Sequence, residues 1–134
     1  MSVYLRDGKC SNVREFAVGV TPIVANTLVK DNAGVVEPCL SPIVDATLVG
    51  VALESASSGV VAVEMVDHRE LISAYTGTGK SSLVATDLGT IFDINSGGAS
   101  VNLDDTSGGC FKCSGYNNSR DEIFGYIVDT KKEI

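Results

Sequence analysis

The chain has 134 residues, 44% of them hydrophobic, and carries ten basic against seventeen acidic side chains for a formal charge of −7. That length suits one domain with one core and no need of metal or disulfide staples. No Lys/Arg cluster exceeds the pair Lys131 and Lys132, which argues against nucleic acid as a partner, and no window nears the ~18 unbroken apolar residues of a membrane span.

Residues 1–14 are polar and weakly patterned, and are expected to form an N-terminal arm ahead of a single β domain over 15–134. The opening "MSVYLRDGKC" has no basic stretch leading into an apolar one, so a soluble protein used without export is expected. Beyond the arm the apolar residues fall in short runs rich in Val, Ile, Thr and aromatics, each closed by turn residues. These predict strands at Phe16 to Val20, Thr27 to Lys30, Gly34 to Glu37, Thr47 to Leu53 and Val60 to Val66. Further strands are predicted at Thr90 to Ile94, Ser100 to Leu103, Cys110 to Ser114 and Ile123 to Asp129.

Turn chemistry separates them at "KDNAG", "ASSG", "NSGG" and "TSGG". In the run from Val60, alternation sets Val61, Val63 and Met65 on one face and Val60, Ala62 and Glu64 on the other. The segment Asp67 to Ala74 is ambiguous, because Asp67 with Glu70 three residues on also fits a short capped helix. No exact sequence repeat is present. The expected class is therefore all-β, a small barrel or sandwich of short strands with one or two short helical turns at most.

Several stretches imitate chemical motifs. Residues 74–81, A-Y-T-G-T-G-K-S, follow a relaxed phosphate-binding loop in which Lys80 would reach phosphate oxygens and Ser81 a magnesium ion. Such a loop needs a buried strand before it and a long helix after it, and "SLVATDLGTIFDI" offers no helix, so a glycine-rich surface loop is expected. Asp93, Asn95, Gly97, Gly98 and Asp104 occupy the first, third, fifth, sixth and twelfth places of a calcium-like loop. A Gly stands fifth and an Asp replaces the long bidentate Glu at twelve, so a hairpin turning at "NSGG" is preferred.

Cys110 and Cys113 form a lone C-x-x-C, and with Cys10, Cys39 and His68 supplying no second tight pair, a zinc site is not expected. Free, partly buried thiols are. His68, the only histidine, reads as a loop residue. The pairs Asp104/Asp105 and Asp121/Glu122 read as turn chemistry rather than an acid and base couple. Neither a catalytic residue nor a cofactor or metal is expected.

Two stretches carry a family resemblance. "LVGVALESASSGVVAVEMV", Leu48 to Val66, joins a strand ending in Gly-Val-Ala through a Ser/Gly turn to an alternating Val strand. "GTIFDINSGGASVNLDDTSGGCFKCSGYNNSRDEIFGYIV", Gly89 to Val128, sets a Val-x-Leu-Asp-Asp-Thr strand and loop before a Gly-Tyr turn and a closing apolar strand. Both resemble the small decoration (cement) proteins of tailed-phage capsids, although the Cys110–Cys113 pair is not part of that pattern.

The resemblance implies a small β-barrel or β-tulip on the capsid exterior, assembled as a homotrimer and bridging major capsid protein subunits without a cofactor. Ser2, Val3, Tyr4, Leu5 and Arg6 are the expected capsid contacts. The alternatives are a phage tail or receptor-binding β module, with calcium, and a small enzyme working through His68 or Lys80.

Overall fold

The computed structural model describes residues 2–8, 12–39, 47–66, 69–107 and 109–128. It is all-β: β1 (Val3–Leu5), β2 (Val13–Val18), β3 (Leu28–Asn32), β4 (Val35–Pro38), β5 (Thr47–Ala52), β6 (Val60–Met65), β7 (Leu71–Thr76), β8 (Ile91–Ile94), β9 (Ser100–Asn102), β10 (Phe111–Asn117) and β11 (Glu122–Ile127). Among the described residues only the 3-10 turns Ala85–Asp87 and Asn118–Arg120 are helical.

Every strand expected from the sequence has its counterpart, within a few residues at the ends. The short helix considered at Asp67 to Ala74 is corrected: Leu71–Thr76 is a strand. Leu71, Ser73 and Tyr75 turn inward while Ile72, Ala74 and Thr76 are half-buried. That is the period of two that a pleat imposes. β1 is the other strand that the pattern did not announce. It lies inside the expected N-terminal arm, and β2 also begins there, at Val13.

Strands β2 to β6 close a barrel in the order β2-β4-β3-β5-β6. Its seam is the parallel pair β2–β4, and every other pairing is antiparallel. The second sheet repeats this wiring. β7 pairs β9 in parallel, while β8–β9, β8–β10, β10–β11 and β7–β11 are antiparallel. The pairings of β7 to β11 thus return on themselves as those of β2 to β6 do, and β1 is added antiparallel to β7. The chain folds the same five-strand design twice in tandem.

Each ring fills its own interior. Ile23, Val29, Val36, Ala52, Val61, Val63 and Met65 pack inside the first. Phe92, Ile94, Val101, Phe111 and Ile123 centre the larger second cluster, to which β3 and β5 contribute Leu28 and Val51. Burying a side chain of that size is worth about 1.5–3 kcal/mol relative to exposure, so the shared residues weld the two rings. Gly98 completes the joint: it has φ +74, accepts the Leu28 amide at 2.7 Å, and a Cβ there would stand 2.1 Å from the Leu28 carbonyl oxygen. Only glycine fits such an approach.

Candidate functional site

The glycine-rich loop after β7 holds an anion of its own. Asp104, just past β9, turns its carboxylate into the loop. Its Oδ2 accepts the Thr78 amide at 2.7 Å and the Thr78 hydroxyl at 3.2 Å, while Oδ1 accepts the Gly79 and Lys80 amides at 3.0 and 2.8 Å. Successive amides converging on one point make the concavity that phosphate-binding loops use. Here a carboxylate of the same chain occupies it. These amides, Thr78 and Lys80 first, hold the Asp104 carboxyl below its ordinary value.

Lys80 is engaged too. Its Nζ lies 2.8 Å from Asp87 Oδ2, which also accepts the Val84 amide at 2.8 Å. Burial alone would push the Asp87 carboxyl up, but Lys80 and the Val84 amide bring it below the usual value. Ser81 is exposed and lines an open cleft of ≈ 300 Å³ with Tyr75, Thr76, Gly77 and Asp121. Burial and the nearby Asp121 charge raise the Tyr75 hydroxyl, whose proton is donated to Asn118 Oδ1 at 2.8 Å. Asn118 also pins Leu83 through its amide and carbonyl, at 3.0 and 2.8 Å.

The calcium-like residues form the β8–β9 hairpin, with Asp93 opposite Asn102 and Ile94 opposite Val101. The Asn95 amide closes on the Ser100 carbonyl at 2.9 Å. Asp93 is fully buried and accepts the Ile94 amide, whereas Asp104 faces the 78–80 loop, so the first and last acids of the imitation serve different partners. Among the described residues no group of three His, Cys, Asp or Glu is placed to hold a metal. Cys39, Cys110 and Cys113 are buried, and none of them is in a disulfide. Burial, then Cys110, pushes the Cys39 thiol well up, and burial raises that of Cys113. Cys10 and His68 lie outside the described residues.

The expected contact residues divide by side of the strand. Val3 and Leu5 are buried in the second core, Ser2 is half-buried, and Tyr4 and Arg6 face out. Arg6 lies over the Phe124 ring at 4.1 Å and pairs with Glu70 Oε1 at 3.0 Å. Tyr4 and Leu5 border a groove of ≈ 130 Å³ completed by Gly8, Asn26, Val51 and Leu53. Sequence reading missed an ion-pair network that runs from the interior to the surface at Asp7. Glu64, fully buried, meets Arg69 at 3.0 Å, and Arg69 reaches Asp7 at 2.8 Å. Its one sequence signal was a glutamate on the back of an otherwise apolar strand.

No protein-family model matches the chain, and no curated protein matches it.

Proposed function

We propose that the chain is a structural virion protein that binds the outside of a phage capsid, as a homotrimer, and stabilises contacts between major capsid protein subunits. One observation carries this reading. Tyr4 is 48% exposed and Leu53 36%, both on the groove, and Val24 is 60% exposed on the loop that leads to Asn26 in the same groove. An apolar surface gathered on a small domain marks a protein contact.

The loops that resemble catalytic or ligand motifs are spent on internal bonds, which favours a role in assembly over one in turnover. Net charge of −7 suits docking on a basic shell surface. Three copies about a shell threefold axis would multiply one modest contact into durable binding.

Binding to shells stripped of the native protein tests the surface. Tyr4→Asp with Leu53→Asp leaves the fold intact and weakens shell binding at least about tenfold, the size of one lost apolar anchor. Unchanged binding by that folded variant overturns the assignment of this surface.

A further inference from the structure

The two rings share one pairing scheme strand for strand and differ at one edge. The Val18 amide bonds to Gly59 at 2.9 Å as the Tyr75 amide bonds to Asp121 at 3.1 Å. Phe16 stands opposite Val61 as Ser73 stands opposite Ile123, and Arg14 opposite Val63 as Leu71 opposite Gly125. Arg14, Glu15 and Phe16 in β2 therefore correspond to Leu71, Ile72 and Ser73 in β7. In the second ring β9 reaches only Ala74, Tyr75 and Thr76, and β1 covers the rest, pairing Val3, Tyr4 and Leu5 with Ser73, Ile72 and Leu71. In the first ring β4 likewise reaches only Ala17 and Val18. Among the described residues, no strand plays the part of β1 there.

Hydrogen-bond parity says which groups are left over. Alternate residues of a strand bond to opposite neighbours. The Met65 amide bonds to the Asn12 carbonyl and the Val18 amide to the Gly59 carbonyl, so Asn12, Arg14, Phe16 and Val18 serve β6. Val13 and Glu15 aim their backbone groups away from it. Their counterparts Glu70 and Ile72 face β1: the Arg6 amide bonds to the Glu70 carbonyl at 2.9 Å. Val13, Arg14 and Glu15 are exposed, and Phe16 is only partly covered by the first core.

We infer that the edge Val13–Phe16 accepts an extended segment of another protein as an antiparallel strand, in the place that β1 fills in the second ring. Charge sets its chemistry: an apolar residue opposite Phe16, then a basic one opposite Glu15, then an acidic one opposite Arg14. A second copy of the same edge fits poorly. With Val13 and Glu15 as the bonding residues, the registers that engage Glu15 set Arg14 against Arg14 or Glu15 against Glu15, and like charges directly opposite repel. The edge is the same whichever protein supplies the strand, so its test needs no capsid.

The probe is the capped peptide Ser-Val-Lys-Glu-Val, titrated into the isotope-labelled full chain and followed by amide NMR. The expected result is a saturable shift of the Val13 and Glu15 amides, with exchange there slowed at least about fivefold, as one net hydrogen bond allows. Glu15→Pro removes an outward N–H without touching the β6 ladder, and abolishes the effect in a chain whose circular dichroism is unchanged. Should that variant unfold, Glu15→Lys serves instead and prefers Ser-Val-Glu-Glu-Val. Four results would each overturn the inference: Val13 and Glu15 amides already protected in the free chain, no shift at those amides at millimolar peptide, binding indifferent to both substitutions, or the same amides shifting with protein concentration alone.

Discussion

Asp104 sits inside the loop that begins at Thr78, its carboxylate 2.7 Å from the Thr78 amide, so the segment most like a phosphate cradle is closed by an acid twenty-six residues on. Asp104→Asn turns one oxygen into a donor facing other donors. The variant is expected to melt lower at neutral pH and to free the amides of Thr78, Gly79 and Lys80 for faster exchange. Wild-type protection of those amides retained in the variant would count against the clamp.

The same clamp sets an acid dependence. The folded-state carboxyls of Asp104 and Asp87 are both lowered, so their contribution is present above the unfolded value of about 3.9 and is lost as pH falls through the folded values. Denaturant titrations across that window should show wild-type stability falling more steeply with acid than that of Asp104→Asn. Parallel profiles would contradict the linkage.

Gly98→Ala is expected to be among the most damaging single changes. The left-handed backbone alone costs about 1–3 kcal/mol in a residue with a side chain, and the new Cβ would meet the Leu28 carbonyl at 2.1 Å. A melting temperature within a degree or so of wild type would show that the joint between the rings is looser than described.

Arg69→Ala takes the guanidinium from the fully buried Glu64, which keeps the Asn12 amide at 3.0 Å, and is expected to destabilise the chain. Glu64→Gln with Arg69→Met removes both charges, keeps an oxygen for the Asn12 amide, and is expected to recover part of that loss. Equal destabilisation in the single and double variants, by urea unfolding, would mean that the charges act independently.

The strand pattern was readable because apolar Val61 and Val63 flank half-buried Ala62, and Val101 and Leu103 flank half-buried Asn102. β7 escaped because Asp67 and Glu70 imitate a helix start and because the residue buried at its centre is Ser73, a polar side chain that breaks the apolar period. β1 is only three residues long, too short for any period to declare itself. The tandem design left no trace in sequence, since what the rings share is backbone pairing: Arg14 corresponds to Leu71 and Phe16 to Ser73, and a barrel position tolerates either when the neighbouring cover differs. The loop at Thr78 was legible as glycine-rich, but its partner Asp104 was read only within its own turn, because contact across twenty-six residues depends on ring closure.

Thiol labelling separates the interior from the rest. Cys39, Cys110 and Cys113 are buried, with the thiols of Cys39 and Cys113 raised, so in the native chain at mildly alkaline pH they are expected to stay unmodified and to react on unfolding. Fast native modification at any of them, located by peptide mass spectrometry, would show a core more open than described.

Cryo-electron microscopy of phage shells, imaged with and without the added chain, reads shell binding directly. Capsid decoration requires extra density of this protein's size on the shell exterior, three copies about a threefold axis and spanning neighbouring major capsid subunits. Shells that remain bare at saturating protein would contradict it.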